Sequence, residues 1–197
     1  MVVEIAYKGE KYGFTTELMG KFNLYNILGA IGAALNLGLD INEIVEKMKI
    51  VKKVPGRFET VNEKQDYMVV VDYAHTDDGL INILQALKEL RKNKIITVFG
   101  AGGDRDKTKR PKMAKAAAKY SDYVIITSDN PRTEDPDQIL KDIEAGMIET
   151  GFPQERYCII ADRERAIEFL IKAAKLEEMI MEIKRRNGML ESANREY

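Results

Sequence analysis

From Met68 onward, short apolar and β-branched runs alternate with stretches whose apolar residues recur every three or four positions. MVVVD reads as a strand. DDGLINILQALKELRK then sets Leu80, Ile83, Leu84, Leu87 and Leu90 on one helical face, with Asp77 or Asp78 available as N-cap. KIITVFG reads as the next strand, and PKMAKAAAKY as a helix with Pro111 in its first turn. YVIIT precedes a helix from about Asp135 to Met147, and RYCII precedes a helix from about Asp162. Strands this apolar, without alternation, are buried on both faces, as in a parallel sheet covered by helices.

The expected fold class is therefore α/β, with a mostly parallel, Rossmann-like sheet and helices on both faces. Right-handed crossovers place every strand-to-helix loop at one sheet edge, where ligands of open α/β sheets bind. The amino-terminal part reads differently. Val2 to Phe14 predicts a hairpin around Lys8-Gly9-Glu10, Phe22 to Leu37 a helix of small residues, and Asp40 with Glu43 a capping box for a short second helix. Pro55-Gly56 breaks the pattern. This divides the chain into residues 1–55, the tail of another domain; 56–175, the α/β domain; and 176–197, a charged helical and polar tail. Ile27, Ala30, Ile31 and Ala34 are expected to need cover that the chain does not supply, from self-association or a partner chain.

Composition narrows the function classes. A net charge of −1, with both signs mixed along the chain, gives no reason to expect nucleic acid or an acidic membrane as partner. The most apolar run, Leu24 to Leu39, is interrupted by Asn26 and Asn36 and is too short to span a bilayer. The single cysteine, Cys158, forms no internal disulfide and builds no cysteine metal cage. Together these features point to a cytoplasmic protein.

Chemistry concentrates in the loops after the strands: DYAHTDD, GAGGDRDKTKRP, SDNPRTEDPD and ADRER. Gly100, Gly102 and Gly103 let backbone N–H groups converge on an anion, with Arg105, Lys107, Lys109 and Arg110 beside them. The P-loop pattern G-x-x-x-x-G-K-[ST] occurs nowhere. In DNPR, Pro131 stiffens a turn that presents Asn130 and Arg132; a guanidinium fork suits a carboxylate, and Asp129, Glu134 or Asp135 lie near enough to hold an ammonium. The same tetrapeptide also reads as an Asx turn capping the next helix. Asp72 at a strand end suits a ribose or a magnesium-bound water. His75, the only histidine, suits a base, or is simply a turn residue.

Taken in order, FNLYN, PGRFE, DYAHT, GAGGDRDKTKRPKM, TSDNPRTEDP and DRERAI resemble the Mur ligases, and DYAHT with DNPR resembles the branch that adds meso-diaminopimelate. The resemblance covers about Val2 to Lys175. It implies the carboxy-terminal domain of an ATP-dependent, ADP-forming amide ligase of peptidoglycan synthesis, preceded by the end of a central ATPase domain. The implied cofactors are ATP and Mg²⁺, and the implied substrates a UDP-MurNAc-dipeptide and meso-diaminopimelate. By the family pattern Asn26, Arg57, Asp72 and His75 face the nucleotide. Asn130, Pro131 and Arg132, with Arg105 helping, face diaminopimelate.

Three departures accompany the likeness. The P-loop is missing, Asp77 follows DYAHT where the family usually has proline, and a GKGHE motif is absent. The expectation is a ligase portion that does not turn over alone, or a binding module derived from one. A third reading, an acidic metal-dependent site at Asp104 and Asp106, has the spacing but lies after a glycine turn and not at a strand end.

Overall fold

The computed structural model describes residues 1–91 and 93–175, in two compact units: Met1–Val61 with Val69–Tyr73, and Asn62–Met68 with the chain from Ala74 onward. The expected tail helix with Met179, Ile180 and Ile183 lies outside the described residues.

In the first unit, β1 (Val2–Tyr7) and β2 (Glu10–Thr15) pair antiparallel across Lys8 and Gly9. Both turn residues have positive φ, 51° and 88°, the geometry that matches the twist of a two-residue hairpin. Alternation turns Val3 and Ile5 inward, and Phe14 joins them from β2. Two helices complete this core: α1 (Lys21–Asn36) and α2 (Ile41–Lys49), the latter capped by the Asp40 carboxylate, which accepts from the Asn42 and Glu43 N–H groups. Ile27 and Ile31 are 3% and 4% exposed, packed in one cluster with Val3, Ile5, Phe14, Ile41, Ile44 and Val45. The sequence-based expectation that these two isoleucines lack cover is therefore corrected: the hairpin and α2 cover them. What stays exposed is the other side of α1, with Tyr25, Leu28 and Ala30.

MVVVD also departs from expectation. It does not join the parallel sheet but forms β4 (Val69–Val71), antiparallel to β3 (Glu59–Val61) in a two-stranded ribbon. Val71 is 47% exposed, so this short run is not buried on both faces as β6, the central strand of the parallel sheet (Tyr123–Ile126), is.

The second unit begins with α3 (Asp77–Leu90). Its cap is Thr76, whose Oγ1 accepts from the Gly79 N–H at 3.1 Å, so neither Asp77 nor Asp78 serves. Leu80 and Leu84 are buried, whereas Leu90 faces solvent. A three-stranded parallel sheet follows in the order β5 (Ile96–Phe99), β6 (Tyr123–Ile126), β7 (Tyr157–Ile159), with α4 (Lys109–Tyr120) and α5 (Pro136–Glu149) as crossovers. Val124 and Ile126 belong to the core under α3, α4 and α5. Tyr123 and Ile125 point to the opposite face, where the Tyr123 ring meets Phe169 of a helix over 163–175. The sheet thus carries helices on both faces, and its carboxyl edge lies at Phe99, Ile126 and Ile159.

Candidate functional site

Two loops at that carboxyl edge are locked together. Chain direction is set by the sheet: Thr127 N–H donates to Phe99 O, and Ser128 N–H to Ala161 O. Beyond the strands, Gly103 N–H donates to Asn130 O at 2.9 Å, and Arg132 Nη1 donates back to Gly103 O. The Asp104 carboxylate accepts from Thr133 Oγ1 at 2.7 Å and Thr133 N–H at 3.3 Å. In return Asp104 N–H donates to Glu134 Oε1 at 2.6 Å. Such proximity requires glycine. A Cβ on Gly100 would lie 2.4 Å from Thr127 O, and one on Gly103 only 1.8 Å from Pro131 O.

Both loops hold strained backbone. Asp104 (φ 52°) and Arg132 (φ 49°) are non-glycine residues in the left-handed region, which persists only where the surroundings over-determine it. The Asn130 side chain accepts from Arg132 N–H at 3.1 Å, forming the Asx turn read in the sequence, but the helix cap is Asp135, which accepts from Asp137 N–H. DNPR therefore turns without capping, and Asn130 and Arg132 both end exposed. Arg132 reaches the backbone of Gly103, two residues before the exposed Arg105.

Beneath the loops is Arg110, 1% exposed. Its Nη2 donates to Glu134 Oε1 at 2.8 Å and its Nη1 to Asp142 Oδ2 at 2.8 Å, while the buried Nε has no partner among the described residues. Lys107 approaches Glu134 Oε2 at 3.2 Å. The Arg110 bond, then the Asp104 amide and Lys107, hold the Glu134 carboxyl down at about 2. Burial pushes the Asp142 carboxyl up, but the bonds from Arg110 and Gln138 more than offset it and leave it below its ordinary value. Of the three carboxylates considered for an ammonium, Glu134 and Asp135 are thus committed. Asp129 remains half-exposed at the loop, with Arg163 Nη1 at 3.8 Å.

The depressed Glu134 carboxyl has a signed consequence. Above its ordinary 4.5 it is ionised folded and unfolded alike, and its contribution is complete. As pH falls toward about 2, the unfolded chain takes up the proton first and that contribution is lost. Glu134→Gln is expected to cost stability at neutral pH, by a margin that shrinks as pH falls from 4.5 toward 2. Denaturant midpoints of both proteins across that range test this; a constant margin would contradict it.

The residues assigned by resemblance to the nucleotide are placed as follows. Phe58 N–H donates to Asp72 Oδ2 at 2.7 Å, and Tyr73 N–H to Gly56 O at 2.8 Å, which staples the Pro55-Gly56 turn to the end of β4. The exposed Arg57 guanidinium lies 4.7 Å above the Tyr73 ring. Phe22 meets Phe58 with ring centroids 5.6 Å apart, and Asn26, one helical turn after Phe22 on α1, donates from its side chain to Asn23. The first unit therefore gathers Asn26, Arg57 and Asp72. His75, exposed, precedes the α3 cap in the second unit.

Among the described residues no group of three His, Cys, Asp or Glu side chains is placed to hold a metal ion. Asp104 is engaged by Thr133, and Asp106 accepts from Thr108 Oγ1 and N–H at the start of α4, which leaves the acidic metal-site reading without a structural basis. Sequence reasoning missed Arg110 as a brace. Its signal was present, since Arg110 precedes Met113, Ala114 and Ala117 by three, four and seven positions, so a charge sits on the buried stripe of α4.

The family model described as Mur ligase, glutamate ligase domain, matches residues 56–181. A UDP-N-acetylmuramoyl-L-alanyl-D-glutamate–2,6-diaminopimelate ligase from Fusobacterium nucleatum is 47% identical over 180 residues, which cover 91% of this chain and 36% of that protein. A solved structure of a ligase of that name is 39% identical and superposes with a TM-score of 0.56 over 86% of this chain and 34% of its own. MurF from Acinetobacter baumannii, only 16% identical, shares the fold at a TM-score of 0.65 over 89% of this chain and 36% of its own. The chain spans about a third of the length of these relatives. On a family match over most of its second unit and a relative 47% identical along nine-tenths of its length, this chain belongs to the Mur ligase family.

Proposed function

We propose that this chain supplies the acceptor side, and part of the nucleotide side, of a cytoplasmic ligase that joins meso-diaminopimelate to UDP-MurNAc-L-Ala-D-Glu in peptidoglycan synthesis. The observation that carries the reading is the exposed Asn130–Arg132 pair on one of two loops clamped together at the sheet's carboxyl edge, in a chain 47% identical to a ligase named for that amino acid. The remaining guanidinium donors of Arg132 suit a carboxylate, and Asp129 is the carboxylate left to meet an ammonium.

Bound ATP with Mg²⁺ would supply the activation of the acid. Mg²⁺ would enter with the nucleotide, on its phosphate oxygens and on ligands outside the described residues, which place no group of three His, Cys, Asp or Glu side chains to hold it. Arg57, stacked on Tyr73, would neutralise phosphate charge, and Asp72, fixed by Phe58 N–H, would meet the ribose. Asn26 would border the base. On this reading the 197 residues do not turn over by themselves, because a P-loop is not among them.

Calorimetry of the chain with meso-diaminopimelate, L-lysine and ATP·Mg²⁺ in turn tests the proposal. Meso-diaminopimelate should bind and L-lysine should not. Arg132→Ala should weaken binding by roughly 10- to 100-fold, the scale of a lost charge-assisted pair. A folded chain that gives no heat with meso-diaminopimelate would sink the acceptor assignment.

A second reading, a non-catalytic binding or interaction module derived from such a domain, is favoured by the open side of α1, which a partner chain would cover. Tyr25 is 64% exposed and Leu28 43%, on a helix apolar enough to be covered on both sides. Meso-diaminopimelate binding with no response to ATP·Mg²⁺ would support it.

A further inference from the structure

We infer that Glu134, braced by the buried guanidinium of Arg110, is the positioning residue of the acceptor loops: it sets the loops around Gly103 and Asn130 against each other so that Asn130 and Arg132 project as a fixed pair. The inference deepens the acceptor reading above and rests on it for the identity of the ligand. Glu134 needs no ligand contact for this role.

The geometry carries it. Glu134 Oε1 takes Asp104 N–H from one loop and Arg110 Nη2 from α4, while the Glu134 N–H closes the DNPR turn on Pro131 O. One carboxylate therefore joins the glycine-rich loop, the turn bearing Arg132 and the helix beneath them. The second arm of Arg110 runs away from the loops, to Asp142 on α5. A side chain present only for packing would be apolar here, since a buried ion pair is no more stabilising than a hydrophobic residue of similar volume, and the unpartnered Nε adds to its cost. The two non-glycine residues with positive φ in these loops, Asp104 and Arg132, flank the bonds that Glu134 secures. Holding such residues in place is work for a brace.

Asp142 provides the control. Removing either carboxylate deprives Arg110 of one ion-pair partner at the same 2.8 Å distance, but only Glu134 touches the loops. Amide exchange measured by NMR on the ligand-free 197-residue chain should show Gly103 and Asp104 losing protection by about tenfold in Glu134→Ala, relative to core amides such as Ile125 and Ile126. Glu134→Gln, which keeps an acceptor for Asp104 N–H, should restore part of it. Asp142→Ala should leave both loop amides within about threefold of wild type. Meso-diaminopimelate affinity should follow the same order.

Equal loss in Glu134→Ala and Asp142→Ala would overturn the inference, leaving Glu134 as one of two structural partners. No loss in Glu134→Ala, with core amides intact, would overturn it as well. If loop protection falls only in Glu134→Ala while wild type ignores meso-diaminopimelate, the positioning of the loops stands and the acceptor assignment fails.

Discussion

Gly146→Ala is expected to lower the melting temperature of the parallel-sheet unit by roughly 5–10 °C. On an exposed helix the same change gains about 1 kcal/mol, because alanine is the better helix former. At Gly146 of α5 the new methyl would lie 2.5 Å from Pro111 O, 2.6 Å from Pro111 Cα and 2.8 Å from the Ala114 Cβ. The first two are backbone atoms and the third is fixed to the backbone, so no rotamer can yield. The helices must separate around Met113, Ala114, Ile143 and Met147, all at most 2% exposed. Overpacking of this kind costs about 1–3 kcal/mol or more and outweighs the helix gain. Gly32→Ala on α1, where a Cβ meets nothing within 4 Å, is the matched control and should be neutral or stabilising. Thermal melts of both variants decide the matter; a stabilised Gly146→Ala would show that α4 and α5 can move apart freely.

Gly103→Ala is expected to act on binding more than on stability. Its Cβ would lie 1.8 Å from Pro131 O and 2.6 Å from the same carbonyl carbon, which no native structure tolerates. The loops must part, and with them go the Gly103 N–H bond to Asn130 O and the Arg132 bond to Gly103 O. Displacing a binding group by about 1 Å can cost about 100-fold, so meso-diaminopimelate affinity should fall on that order. The loops lie beyond the strand ends and contribute only Ala101 to the main hydrophobic cluster, so the melting temperature should fall by only a few degrees, roughly the effect of one or two lost hydrogen bonds. Calorimetry beside a thermal melt reads both effects. Unchanged affinity would mean that the relative placement of these loops does not govern the site.

The two glycines show how far a sequence can be read. That GAGGDRDK is a tight turn at a strand end follows from composition. That Gly103 must lack a side chain because Pro131 passes against it does not, since those residues meet only when β5 and β6 pair in the observed register. The same limit explains Glu134. In the linear chain it was one of three acidic residues near Arg132. In the fold it is held by groups 24 and 30 residues away, which removes it as an ammonium partner and makes it a brace. Asn130 and Arg132 were legible because proline rigidity and guanidinium geometry are properties of the tetrapeptide itself.

What the order of residues determined alone was short-range. Hairpin, helices and buried strands follow from turn chemistry, capping and periodicity, which act between residues a few positions apart. Tertiary structure alone decided three further things. It paired Val69–Val71 with β3 and not with the parallel sheet. It closed the hairpin over Ile27 and Ile31. It chose, among the charges at the sheet edge, Arg110 and Glu134 to hold the loops and Arg132 to face outward. Each of these depends on contacts between residues far apart in the chain, whose meeting is set by strand register and helix packing and leaves no local periodicity to read.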